Sequence, residues 1–232
     1  EGDRLAALDW VDAEVHRALG DPAKAHPLVG PAAAAVVELG LDPQPMLDLI
    51  EANRLDQTVA AWSTFDEIQS YCRLSANPVG RLVLGAFGRS DARAFAYSDQ
   101  VCTGLQLVEH WQDVQEDARA GRVYLPRADL DRFGVDPAIL SGPGPAPSEL
   151  RALMVFETAR ARDWLERGAP LVGLLSGRAR FAVAGFVAGG LGALDAIAAR
   201  DFDVLRTPRR VRPVRLATRT LLTALRRSEG MS

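Results

Sequence analysis

Apolar residues recur at helical spacing along most of the chain, and no stretch alternates apolar and polar residues as a half-buried strand would. Residues 3–19 set Leu5, Leu8, Val11 and Val15 on one face, and Gly20-Asp21-Pro22 stops the pattern. His26-Pro27-Leu28 begins a second helix, with Pro31 near its start and Gly40 at its end. Pro43 and Pro45 introduce a third over residues 46–56. Thr64, with Glu67 three residues on, reads as a helix cap and opens a helix over 65–76. Asn77-Pro78 interrupts it, because the residue before a proline is driven away from helical angles. A kinked continuation follows over 79–87. The longest helical pattern covers 91–119, either whole or in two pieces with Ser98 as a cap, and Ala120-Gly121 ends it. Residues 123–132 read as irregular with a short helix, and the proline- and glycine-rich run 141–147 as a loop. Helices from Ser148 to about Gly168 and over 181–200 complete a single all-α domain, residues 1–205.

Composition agrees with helices. The 232 residues are 48% hydrophobic but only 6% aromatic, enough for a large core without the strand-forming residues of a β protein. A formal net charge of −3 argues against binding nucleic acid by bulk electrostatics. The two cysteines, Cys72 and Cys102, lie in no CxxC or Cys/His cluster, so neither a disulfide framework nor a zinc site is expected. The longest apolar stretch, residues 181–194, is short of the ~20 residues a membrane span needs and reads as a buried helix. No signal peptide is visible, so the expected location is cytoplasmic. The tail 206–232 carries eight arginines against Glu229, interleaved with leucines, so it reads either as a solvated tail or as a peripheral contact with the inner membrane face.

The segment 106–117 carries the candidate chemistry. At about 100° per residue, Gln106, Glu109, His110, Asp113 and Asp117 share one face of a helix, while Leu107, Trp111, Val114 and Ala118 gather on another. Asp113 and Asp117 are neighbours at i, i+4, where like charges repel and no basic residue lies within the stripe. Mg²⁺ is well served by one or two carboxylates plus water and phosphate oxygens, so the pair suits a Mg²⁺–diphosphate site. The alternative is a solvated acidic face.

The continuation distinguishes this pair. Asp113-Val114-Gln115-Glu116-Asp117 followed by Gly121-Arg122-Val123-Tyr124-Leu125-Pro126 resembles the second aspartate-rich motif of the squalene/phytoene synthase family. The run 71–80, Tyr71-Cys72-Arg73 through Asn77-Pro78-Val79-Gly80, resembles that family's other patterned helix. Within the family, residues 75–81 and Gln112 look most like the HpnC type, the hydroxysqualene synthases of hopanoid pathways. The resemblance implies an isoprenoid-synthase-type helical bundle around a central substrate cavity. It implies Mg²⁺ as cofactor, with Asp113, Asp117 and Glu109 as the metal set. Tyr71, Asn77, Gln106, Glu109, His110, Gln112, Arg122 and Tyr124 are the implied substrate-binding positions. The implied reaction takes presqualene diphosphate to hydroxysqualene by diphosphate loss, cation rearrangement and water capture. Two other readings remain: condensation of two prenyl diphosphates, such as farnesyl diphosphate, by a squalene or phytoene synthase, and a non-catalytic relative that binds lipid or a partner.

Two features depart from the family pattern. The first aspartate-rich motif is expected just before a helix like the one over 3–19, and it is not in this sequence, so N-terminal helices of the bundle are expected to be missing. Gly190 stands where relatives often carry tyrosine. Trp10, Trp62, Trp111 and Trp164 are expected in the core, and the glycines 185, 189, 190 and 192 either allow close packing or leave room for a long chain. His16 and His26 read as surface or cap residues.

Overall fold

The computed structural model describes residues 3–206, and the remainder of the basic tail lies outside the described residues. Three helices come first: α1 (Arg4–Gly20), α2 (Gly30–Glu38) and α3 (Gln44–Thr58). A second group follows, with α4 (Phe65–Ser75), α5 (Asn77–Ala86), α6 (Ala92–Gln112) and α7 (Val114–Arg119). The chain ends its described part with α8 (Arg127–Phe133), α9 (Ser148–Gly168), α10 (Leu171–Leu174) and α11 (Gly177–Ala198). Among the described residues no strand forms; an isolated bridge joins Ala61 and Val123.

Local chemistry sets the helix starts. Asp3 accepts from the Leu5 and Ala6 amides, Asp91 from the Ala94 amide, and Thr64 from the Glu67 amide. Each satisfies a donor that the first helical turn leaves unpaired. Glu67 reaches back to the Ser63 amide at 2.6 Å, closing the box one residue before the cap. Pro78 sits in the first turn of α5, where its missing N–H costs nothing.

The central helix α6 packs most extensively on α9. A methyl group at Gly104 would lie 3.0 Å from the Leu165 amide nitrogen, and one at Gly168 would lie 2.7 Å from the Val101 nitrogen. The two backbones therefore meet almost directly. The main core surrounds this contact with Leu107, Trp111, Leu150, Leu153, Met154 and Leu165, all fully buried. A second core joins α5, α6, α10 and α11 through Leu84, Val101, Leu171 and Val183. A third, through Val15, Ala18, Val29 and Ile50, holds α1–α3.

The structure corrects three expectations. The pattern over 91–119 is divided at Asp113, not at Ser98. Ser98 is buried inside α6, so its cap preference is overridden by packing, whereas Asp113 adopts φ −104°, ψ 15°. The bend leaves the hydrogen-bond ladder running, from the Asp113 amide to the Glu109 carbonyl and from the Asp117 amide to the Asp113 carbonyl. Trp10 is 46% exposed and meets His26 edge-on, because α1 turns Val15 and Ala18 inward instead. The last helix starts at Gly177 and reaches 22 residues, long and apolar enough by composition to cross a membrane. It packs against α6, α9 and α10, and 44% of its most apolar window is buried.

At Gly190 a methyl group would lie 2.8 Å from Leu105 and 2.9 Å from Leu165. Close packing is therefore the use of this glycine, and an aromatic ring has no room there. Val79, Val83 and Phe87 form an exposed apolar stripe along α5 and its C-terminal cap.

A buried polar knot supports α6 from behind. The Trp111 indole N–H donates to the Glu157 carbonyl at 3.1 Å. One guanidinium nitrogen of Arg160 donates to Asp129 at 2.9 Å and to both Glu157 oxygens at 3.0 and 3.1 Å. Burial, with Asp129 beside it and only partly offset by Arg160, raises the Glu157 carboxyl to about 8.

Candidate active site

The stripe lies at the α6–α7 bend. Asp113 and Asp117 are partly exposed there, Glu109 is exposed, and Gln112 is partly exposed at the last position of α6. Gly121, at φ +82°, reverses the chain after α7, a conformation glycine adopts without a side-chain penalty. The Arg122 amide then donates to the Asp117 carbonyl and the Gly121 amide to the Ala118 carbonyl, which caps the helix C-terminus. This return brings the Arg122 charge close to Asp117.

The following segment is laced to residues 60–63. The Val123 amide donates to Ala60, Arg127 to Trp62, and Ala128 to Ser63, at 2.8 to 3.0 Å. The lacing sets Tyr124 opposite Tyr71. His110 and Tyr124 stack with centroids 3.6 Å apart and planes 12° apart. Tyr71 lies 6.3 Å from His110 and 6.1 Å from Tyr124, and Trp62 lies 5.1 Å from Tyr71. The Tyr71 hydroxyl donates to Asp56 at 2.9 Å.

The electrostatics of the acids point to a cation. Burial and the neighbouring Glu116 raise Asp113 above the usual carboxylate range. Asp117 is raised to about 6 by burial and then by Asp113, with Arg122 pulling the other way. Two carboxylates that resist ionising together carry charge that the protein leaves incompletely balanced. Among the described residues no three His, Cys, Asp or Glu side chains gather as a metal cluster. The Asp113–Asp117 pair nevertheless fits Mg²⁺, which takes one or two carboxylates and fills its remaining positions with water and phosphate oxygens. Glu109 is exposed, and its charge acts on Asp117.

His110 is of a different kind. Burial pushes its imidazole down to about 3, so it is neutral. Its Nε2 lies 3.1 Å from the Gln106 amide nitrogen. His110 therefore belongs to the aromatic wall and does not act as a cationic partner for diphosphate.

Of the sequence-predicted residues, Tyr71, Gln106, His110, Asp113, Asp117, Arg122 and Tyr124 come together in this region. Asn77 stands apart. It is buried, accepts from the Thr103 hydroxyl at 3.1 Å, and lines a 460 Å³ groove with Arg73, Arg81, Asp99 and Trp164. Asp56 was not foreseen, nor was the Trp62 contact. The signal for Asp56 was its place in the last turn of α3, where the helix dipole disfavours an acid that has no other use.

The squalene/phytoene synthase family profile matches residues 1–217. A hydroxysqualene synthase of Rhodopseudomonas palustris is 37% identical over 174 residues, covering 74% of this chain and 57% of that protein. One from Sinorhizobium fredii is 40% identical over 136 residues, 57% of this chain and 45% of that protein. The chain thus spans about half the length of these curated relatives. The crystal structure of squalene synthase HpnC from Alicyclobacillus acidocaldarius superposes with a TM-score of 0.82 at 36% identity, covering 88% of this chain and 76% of that one. Profile, relatives and fold agree with the motif at 113–126: the chain belongs to the squalene/phytoene synthase family and is HpnC-like within it.

Proposed function

We propose that this chain belongs to an enzyme that ionises presqualene diphosphate and captures the resulting cation with water, giving hydroxysqualene. The observation that carries the reading is the Asp113–Asp117 pair, each raised by burial and by neighbouring carboxylates, beside a wall of neutral aromatic side chains. Mg²⁺, held by Asp113 and Asp117, would supply charge neutralisation for a departing diphosphate. Arg122 lies at the same end, where its guanidinium meets the Tyr124 hydroxyl and faces Asp117, so it serves the diphosphate oxygens. Tyr71, Tyr124 and Trp62 offer π-faces to a carbocation, and the neutral His110 stacked among them adds no repelling charge. The apolar stripe Val79, Val83 and Phe87 suits a prenyl tail.

The test is release of diphosphate from presqualene diphosphate with Mg²⁺, with products identified by mass spectrometry with and without NADPH. Asp113→Asn and Asp117→Asn are each expected to slow release by about a hundredfold or more. Full activity in either variant refutes the assigned roles. The second reading is condensation of two prenyl diphosphates, favoured by the 36% identity over 130 residues to a phytoene synthase of Mycobacterium tuberculosis. A condensation product from farnesyl or geranylgeranyl diphosphate, with no alcohol from presqualene diphosphate, selects that reading.

A further inference from the structure

A small cavity lies beside Asp117, lined by His110, Val114, Asp117, Val123, Tyr124, Leu125 and Leu140. About 10 Å³ of it is open to the centre of a water molecule, which is room for one water. Three of its lining side chains are polar, and a lone enclosed water needs two to four such partners.

The state of His110 follows from geometry. The Gln106 amide nitrogen at 3.1 Å can only donate, so His110 Nε2 is the acceptor and the ring proton is on Nδ1. His110 is only 6% exposed, and its Nδ1 has no hydrogen-bond partner among the described residues. A water in the cavity would give that N–H a hydrogen-bond partner. The ring cannot turn away, because Tyr124 is stacked on one face.

We propose that this cavity holds one water between His110 Nδ1–H and the Asp117 carboxylate, and that this water is the nucleophile that ends the reaction as an alcohol. The inference deepens the functional reading above and rests on it. The water oxygen accepts from Nδ1–H, donates one proton toward Asp117, and keeps a lone pair for the cation. Attack forms one C–O bond to the cationic carbon. One O–H bond of the water then breaks, and its proton passes to an oxygen of the released diphosphate. No oxidant or reductant enters. Gln106 acts through His110 by fixing the tautomer, and is a positioning residue.

Two measurements test this on the full chain. In a high-resolution crystal structure, one ordered water is expected within hydrogen-bond distance of His110 Nδ1, and it is lost in His110→Phe. A dry cavity, or a water that persists unchanged in His110→Phe, overturns the site. For the chemistry, the readout is alcohol formed per diphosphate released, which does not depend on rate. His110→Phe is expected to lower that fraction about tenfold, the worth of one hydrogen bond in a competition between water capture and proton loss to a hydrocarbon. Gln106→Leu, which frees the tautomer, is expected to lower it less, and His110→Gln, which keeps an N–H donor, to restore part of it. An unchanged fraction in His110→Phe overturns the role. Wild-type chain that makes no alcohol from presqualene diphosphate sinks the functional reading instead, and the crystallographic arm then decides the water site alone.

Discussion

Substituting Gly168 by alanine tests the contact that places the site. The new methyl would lie 2.7 Å from the Val101 nitrogen, 2.7 Å from Val101 Cγ2 and 2.9 Å from the Tyr97 carbonyl oxygen. Two of those atoms are backbone, so no rotamer change relieves the clash; α6 and α9 must part. Overpacking of this kind costs about 3 kcal/mol at its upper end, offset by up to about 1 kcal/mol from the helix preference of alanine over glycine. The net, about 2 kcal/mol, corresponds to a fall in melting temperature of about 4–8 °C for a domain of this size. Gly20→Ala is the matched control. Gly20 also ends a helix, α1, but nothing lies within 4 Å of its added methyl. That variant is expected to gain about 0.5 kcal/mol, or about 1–2 °C. Both are read by far-ultraviolet circular dichroism at matched pH and concentration. If Gly168→Ala melts with Gly20→Ala, the helices are not in backbone contact and the argument for how α6 is held fails.

Stability should also respond to pH through Glu157. Its folded-state value, raised to about 8 by burial, lies above the ordinary 4.5, so the folded protein holds this proton more tightly than the unfolded chain. The contribution is fully present below about pH 4.5 and is lost as pH rises through about 8. Glu157→Gln is expected to flatten the fall in melting temperature between those limits, and an unchanged slope excludes Glu157 as its source. Asp117 gives a prediction of opposite benefit. Asp117→Asn removes a charge that burial and Asp113 disfavour, so it is expected to raise the melting temperature at neutral pH while abolishing Mg²⁺-dependent diphosphate release. A lower melting temperature in that variant contradicts the electrostatic account.

Much of the frame was legible because short-range chemistry decides it. Thr64 caps its helix, Pro78 opens the next, and the helix expected from Ser148 to Gly168 has those limits. The apolar face of the stripe, Leu107, Trp111 and Val114, is buried as its spacing predicted. What was hidden depends on residues distant in sequence. Ser98 has the composition of a cap but is covered by the packing around α6. The first turn of α11 was obscured by Arg178 and Arg180, whose charges read as a boundary beside an apolar run. Asp56 joins Tyr71 across 15 positions, and Glu157 meets Trp111 across 46, separations at which periodicity is silent. Asn77 shows how a motif position can carry a structural bond as well. Its motif context suggested the substrate; in the fold its side chain ties α5 to Thr103 of α6 and lines the groove between them.

The lacing of residues 123–128 onto residues 60–63 has a consequence for how such a site changes over time. Its bonds join main-chain atoms, and side-chain replacement leaves those atoms in place. The scaffold is thus insulated from the chemistry it displays. Side chains such as Trp62 and Tyr124 can be exchanged while the main-chain geometry beneath them is kept.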